Sequence, residues 1–572
     1  MEEITNNEVD KIEQNVPGSV SNKIDENVPS IVADNIYTQG TTVVRQETLY
    51  GCYDNRFVEP CTVVEKKREY TGSESVFAWI CMAFGFFFCK VFPAHQNPLG
   101  AFLLVVSIFV ATTVVLKIKK AKLGVLPVMA VVSAMVMSGI LILNSNPMIT
   151  SLANTYAIVT YCYYIYVAQG NQTKLGFNDF VLVDYFKALF VAPFHKAGRL
   201  FQGMFSGKIR KSGDILGKII KGGVIALIPT IVVCGLLSYD SDFSRMIGNM
   251  VDLDAGEVFS NIWSLLLGII VGQYVFRLFV ASADNAVREK CTEAECVAKL
   301  KSIQKTHVAT ALAAVLPILF VYVVYFISQW KYYMSAFTGR LPAGLSYADY
   351  AREGFFQLCA VSVINMIIIL FVQMFMDVSE SVVEKVKKGI VITYAVFTLV
   401  LIATAMSKMA LYISSYGLTE KRVLSSWLML VLSIVFVVVI VKQFVAKLNA
   451  VAVSTAVVVV AFGILGLSNV DGIIARYNVD RYLDGSLETI DIWAMQDLGD
   501  AAVPEMVRLM EELEDSGMVD TDSYASNIYY RTEGVLENIA LKYTNEDRQV
   551  MSYTIPYIKA KEALKDAGIK AM

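Results

Sequence analysis

Runs of about 18 to 25 mostly apolar residues recur along the chain, separated by polar connections. At about 1.5 Å per residue, such a run crosses the roughly 30 Å hydrocarbon core of a bilayer as one helix. Eleven spans are predicted: Ser75–Phe92, Leu99–Leu116, Leu123–Leu143, Met148–Ala168, Gly222–Tyr239, Val258–Ala281, Thr306–Trp330, Phe355–Met376, Ile390–Ser407, Ser425–Val441 and Leu448–Leu467. The pattern differs at both ends of this block. Residues 1–74 are rich in Asn, Asp, Glu and Val without a sustained period, the mark of a disordered acidic tail. Beyond Leu467, apolar residues recur at helical spacing among many acids. Three stretches there, Leu487–Leu513, Ser523–Ala540 and Gln549–Ala567, are expected to be helical, with a start marked by Asp500, Ala501, Ala502 and Pro504. The fold class expected is all-α: a polytopic transmembrane helix bundle over residues 75–467 and a small acidic helical domain over 468–572.

Charge placement adds an orientation. Short cytoplasmic loops carry an excess of Lys and Arg. Lys117, Lys119, Lys120 and Lys122 follow the second run, and Lys385, Lys387 and Lys388 follow the eighth. Asn144–Pro147, after the third run, holds no charge, and the connection after the fifth is acidic around Asp252 and Asp254. This alternation predicts a cytoplasmic N-terminus and, with eleven spans, an extracytoplasmic C-terminal domain. The connection near residues 178–207 mixes Phe180, Tyr185, Phe186, Phe190 and Phe194 with Lys and Arg. That mixture predicts a helix lying in the headgroup layer. Tyr161, Tyr163, Tyr164 and Tyr166 crowd one end of the fourth run and are expected to form an interfacial aromatic belt.

Candidate chemistry is sparse. Only 18% of residues are charged, below the quarter typical of soluble domains, and the net charge of −3 argues against nucleic acid as a partner. The three histidines, His95, His195 and His307, are scattered, and there is no His-Glu-x-x-His or phosphate-cradling Gly-x-x-x-x-Gly-Lys-Ser/Thr. No catalytic group, cofactor or metal is nominated. The bilayer is the expected partner, with a second membrane protein as a further one. Three connections that fall on the outer side share a Tyr, Arg and acid or Asn texture: Lys331–Leu358, Tyr412–Arg422 and Leu467–Leu483. From them a polar outer pocket is drawn from Arg340, Tyr347, Asp349, Arg352, Glu353, Tyr416, Arg422, Asn469, Asp471 and Arg476. Arg352 is expected to pair with Asp471, because an Arg emerging at a membrane surface holds an acid more strongly when partly desolvated.

The segments GLSYADYAREGFFQL, YGLTEKR and NVDGIIARYNVDRYLD, in this order, resemble a bacterial family of multi-pass membrane proteins known only as a domain of unknown function. The likeness extends over about Pro98–Pro504. It implies a bacterial plasma-membrane protein of the cell envelope and no substrate, cofactor or catalytic residue. The reading is therefore an integral membrane protein whose outer polar site would bind, sense or transport an envelope-associated ligand. The alternatives are a membrane enzyme acting on a lipid-linked substrate and a scaffold for other membrane proteins.

Overall fold

The computed structural model describes residues 70–91, 97–119, 121, 123–194, 203–204, 255–284, 292–328, 330, 355–377, 381–545 and 548–569. All belong to one compact unit, Glu69–Met572. The acidic tail, the run Gly222–Tyr239 and the stretch from Lys331 to Gly354 lie outside the described residues, apart from the tail's last few positions and Trp330 at the boundary. Everything described is helix, turn or loop, except one isolated bridge between Thr306 and Met376.

The membrane part contains α1 (Gly72–Val91), α2 (Pro98–Ile118), α3 (Val125–Ser138, with a further turn Ile140–Leu143) and α4 (Pro147–Ala168). After them come the short α5 (Val181–Phe186), α6 (Ala255–Ala283), the amphipathic α7 (Glu293–Ile303), α8 (Val308–Ser328), α9 (Phe355–Phe375), α10 (Ser381–Tyr416), α11 (Glu420–Phe444) and α12 (Ala450–Leu467). Nine helices among the described residues are long and apolar enough to cross a membrane. The expected eleven are not confirmed, for two reasons. One run lies outside the described residues, and α4 is a full-length helix that is too polar to qualify.

The polarity of α4 has a physical cause. Thirteen of its 22 residues are buried inside the protein, so it is solvated by neighbouring helices rather than lipid. Tyr161 shares a 3.0 Å hydrogen bond with Thr112, and Tyr164 one of 2.8 Å with Thr113, both on α2. Tyr156 donates to Ser133 on α3 at 3.0 Å, and Tyr163 stacks on Tyr185 at 4.0 Å. The expected belt of tyrosines is thus core: Tyr163, Tyr164 and Tyr166 are buried. The ring-and-hydroxyl shape suits a headgroup layer, but it suits a helix interface equally well when threonine hydroxyls stand opposite.

Two apolar clusters build the membrane part. One joins α1, α2, α3, α4, α5 and α6, and the other joins α8, α9, α10 and α11. Within the first, α1 and α6 lie antiparallel, with Phe77 against Phe279 at 4.9 Å. Their close approach depends on Gly85 and on Gly268 and Gly272, a Gly-x-x-x-Gly pair. A Cβ on Gly268 would stand 2.6 Å from the Phe86 nitrogen, and one on Gly272 would stand 2.7 Å from the Cys81 oxygen. Small residues are what let transmembrane backbones meet where no hydrophobic force separates helix from lipid.

The two ends of the bundle differ. At one end, Asn449 donates to the Phe177 carbonyl at 2.9 Å, Val451 N–H donates to Asp179 at 2.9 Å, and Lys174 pairs with Glu293 at 2.8 Å. This end gathers the connections after α2, α4, α9 and α11, and most of the described lysines of the bundle stand at it. At the opposite end the turns after α3, α10 and α12 meet the C-terminal helices. Those are α13 (Val470–Leu483), a turn Ile492–Gln496, a 3-10 turn Gly499–Ala502, α14 (Val503–Asp515), α15 (Ser523–Asn545) and α16 (Ile555–Asp566). On α14, Val503, Met506, Val507, Met510 and Leu513 face inward, and Glu511, Glu512 and Asp515 face out. Asp491 caps the Ile492 turn through Trp493 N–H, and Thr554 caps α16 through Tyr557 N–H. The inward faces join Met137, Ile140, Leu141, Ile149 and Ala153 of α3 and α4 in one continuous core.

The α1–α6 contact gives a direct test. Gly272→Leu is expected to destabilise the detergent-solubilised protein by about 1–3 kcal/mol or more, because backbone stands where the side chain must go. Gly389→Ala on α10, where nothing stands within 4 Å, should leave the unfolding midpoint unchanged or raise it. Equal midpoints for Gly272→Leu and wild type would refute the close packing.

Candidate functional site

The seam between the bundle and the C-terminal helices begins at the α3–α4 turn. Asn144 accepts from Asn146 N–H at 2.9 Å and donates to the Gly466 carbonyl at 3.1 Å, in the last turn of α12. Such terminal carbonyls have no partner within their own helix. Asn146 caps α4 by accepting from Met148 and Ile149 N–H at 3.0 and 3.1 Å, and Pro147 occupies the first turn, where its missing N–H costs nothing. The other end of the Asn146 amide donates to Asp471 Oδ1 at 3.4 Å.

Asp471 lies in the first turn of α13 and is 2% exposed. Only Ser468 and Asn469 separate α12 from α13, and Asn469 makes the change of direction with φ of 45°. Asn visits this left-handed region more readily than other residues that bear a Cβ. Its side chain folds back over Gly472, where a Cβ would stand 2.5 Å from Asn469 Nδ2. Asn469 Oδ1 and Ser145 Oγ are buried without a hydrogen-bond partner among the described residues. Burial pushes the Asp471 carboxyl up to about 6; the Asn146 amide opposes the shift and the Glu420 charge on α11 adds to it.

A second locus closes α10. Arg422 donates to the Tyr416 and Gly417 carbonyls at 2.9 and 2.6 Å, with its guanidinium 3.9 Å from the Tyr412 ring centre. Arg481 on α13 donates to the Ile413 and Ser414 carbonyls at 3.2 and 2.9 Å and to the Ser486 carbonyl at 2.6 Å. Two cations therefore stand on the carbonyl end of a 36-residue helix, where the helix dipole favours positive charge. Asn478 both accepts from Leu418 N–H at 2.7 Å and donates to its carbonyl at 2.8 Å. Gly417, with φ of 72°, leaves room for that amide.

The residues nominated from sequence are thus distributed unevenly. Asn469 and Asp471 share the seam, and Tyr416 and Arg422 share the α10 terminus. Arg476 points to solvent, with its side chain 73% exposed and 3.7 Å from Asp480, which itself pairs with Arg508 at 2.5 Å. Arg340, Tyr347, Asp349, Arg352 and Glu353 lie outside the described residues. The described donor to Asp471 is Asn146. Asn144, Asn146, Asn478 and Arg481 were not singled out from sequence. The Asn146-Pro147 pair is a helix-start signal, and Asn478 and Arg481 are three apart on one helix face, so both were readable.

At the lysine-rich end, Asp184 is buried and accepts from Thr173 N–H at 3.1 Å and from the Thr173 hydroxyl, while Lys187 donates to that hydroxyl at 2.7 Å. Burial raises the Asp184 carboxyl. The cluster pins residues 173–178 to α5, whose Leu182 and Phe186, with Phe190 and Phe194 just beyond it, are exposed. Among the described residues, no three His, Cys, Asp or Glu side chains converge at metal-ligand spacing.

The helices and their termini define an integral membrane protein of all-helical build. The family model described as "Domain of unknown function (DUF4153)" matches residues 128–509, well over half of the chain. The protein belongs to this family, in agreement with the likeness carried by its three polar segments. No curated protein and no solved structure matches the chain.

The seam predicts a pH dependence. The folded pKa of Asp471, about 6, lies above its ordinary 3.8. Between these values the native state holds the extra proton, so the contribution to stability falls as pH rises through that window and is flat above it. Asp471→Asn should abolish this component and raise stability at neutral pH by on the order of 3 kcal/mol at most. Unfolding midpoints of both proteins across that pH range test it; parallel curves would contradict the assignment.

Proposed function

We propose that this protein is a multi-pass protein of a bacterial plasma membrane that senses a ligand or state of the envelope on the outer side. Its acidic C-terminal helices form the outer part, and the Asn146–Asp471 seam passes their state to the membrane helices. The observation that carries this reading is the shared core. Side chains of α3 and α4 and those of α13, α14, α15 and α16 belong to one apolar cluster, so a displacement of the outer helices must move the α3–α4 hairpin.

Charge supports the orientation. Lys117, Lys119, Lys174, Lys385, Lys388 and Lys447 stand at the end opposite the seam, and the Asn144–Asn146 turn is uncharged. In this reading the N-terminal tail, residues 1–74, is cytoplasmic. The exposed Phe186, Phe190 and Phe194 rest in the inner headgroup layer. In this reading the outer ligand-binding face draws on Arg340, Tyr347, Asp349, Arg352 and Glu353 of the Lys331–Gly354 connection with the described Tyr416, Asn469 and Arg476, while Arg422 and the buried Asp471 are engaged within the protein and hold the frame. Arginines on such a face favour an anionic ligand held bidentately.

Single cysteines at Glu511 and Lys301, in a background lacking the native cysteines, test this reading in intact cells with a membrane-impermeant thiol reagent. Labelling at position 511 and protection at 301 are expected. Labelling at 301 with protection at 511 would overturn the orientation and the outer-side sensing with it.

A further inference from the structure

A cavity of about 250 Å³ lies between α1, α2, α4 and α6, lined almost wholly by hydrocarbon. It exceeds the roughly 150 Å³ apolar cavity that stays dry and takes up benzene. Its lining on α2 runs from Ala101 to Phe109, beginning three residues after the helix start at the seam end. At about 1.5 Å per residue, it occupies the leaflet on that side and reaches the middle of the bilayer. Ile270, on its rim, is 67% exposed on a membrane-crossing helix, so the cavity opens sideways toward lipid.

One polar side chain interrupts this lining toward its seam end. Asn154 is 5% exposed and makes no hydrogen bond among the described residues. Its neighbours with hydroxyls are already engaged: Tyr161 with Thr112, and Tyr274, which donates to the Leu189 carbonyl at 2.9 Å. A buried amide left without a partner in hydrocarbon is costly, and polar groups at such depth mark functional positions. A tail carrying a carbonyl near its polar end would meet both demands.

We propose that this cavity is a binding site for one acyl chain of an ester-linked membrane lipid from the seam-side leaflet. The methylenes fill the space between α2 and α6, and Asn154 Nδ2 donates to the ester carbonyl. Occupancy would brace α4, the helix that Asn146 caps at the seam.

The test uses the full-length protein in nanodiscs of phosphatidylethanolamine and phosphatidylglycerol, with a trace of phosphatidylethanolamine bearing a diazirine in its acyl chain. After illumination, adducts are mapped by peptide mass spectrometry. Adducts should concentrate on the peptides holding Leu104–Ile108 and Ile270–Tyr274. Ala157→Phe should reduce them to the level at Phe320, a side chain 70% exposed on α8. Ile108→Phe repeats the test from another wall should Ala157→Phe fail to fold. Asn154→Leu should lower adduct yield about threefold, the factor of one hydrogen bond between groups in a membrane. An ether-linked probe should show the same loss and be indifferent to Asn154→Leu. Adducts no denser in the cavity than at Phe320, or undiminished in both filling variants, would overturn the site. Crosslinks from a diazirine-bearing residue at position 270 to Gly222–Tyr239 would assign the space to the protein's own chain instead.

Discussion

A single carboxylate, Asp471, is carried into a seam that excludes water, and the segments around it are shaped by that burial. Its described donor comes from a turn 325 residues earlier in the chain, so the contact can form only when the α3–α4 hairpin and α13 are in place. The carboxylate does not supply the docking energy. An unpaired buried charge costs several kcal/mol, and here a neutral amide offsets only part of it. The apolar side chains around it settle the balance, since each fully buried Ile, Leu or Met contributes about 1.5–3 kcal/mol. Ile140, Leu141, Ile149, Ile474, Met506 and Leu509 all lie in that core. The polar groups of the seam therefore fix register, and the apolar ones hold the parts together.

The same division of labour recurs at the end of α10. A 36-residue helix is about 54 Å long at 1.5 Å per residue, well beyond the hydrocarbon thickness, so its carbonyl end emerges into the polar region. Arg422 and Arg481 satisfy those carbonyls from two different helices, tying α10 to α11 and to α13. α13 thus touches both the α3–α4 turn and the end of α10. In the bundle itself, α4 is the polar axis: Tyr161 and Tyr164 bond to threonines of α2, and Tyr156 bonds to Ser133 of α3.

Much of this was readable from residue order. Apolar run length located every membrane-crossing helix that is described, and Asp500 to Pro504 marked the entry to α14 within a few residues. The count of eleven is not confirmed: one run lies outside the described residues, and α4, a helix over the expected run, is more polar than the nine because protein surrounds much of it. Its tyrosines were misread for the same reason, since periodicity does not say whether a neighbour is lipid or a threonine. Arg422 was assigned to a pocket, yet it caps a helix. Its partners are backbone carbonyls, which leave no signature in side-chain chemistry. Asp471 was identified as a site residue, but Asn146 was not paired with it, because sequence distance carries no information about which turn meets which helix. The Gly268–Gly272 pair was legible and needed only to be weighed as packing.

Hydrogen exchange of the α14 amides in the Ile149→Ala variant measures the coupling of the bundle and the C-terminal helices most directly. Ile149 belongs to the membrane hairpin, is 1% exposed, and lies in the shared core. If the C-terminal helices depend on that core, the truncation should lower the protection of Leu509, Met510 and Leu513 amides by up to about 2–5 kcal/mol, the cost of such a deletion in a packed interior. Unchanged protection in α14, with exchange faster only in α4, would mean that the C-terminal helices stand on their own and that the seam transmits nothing.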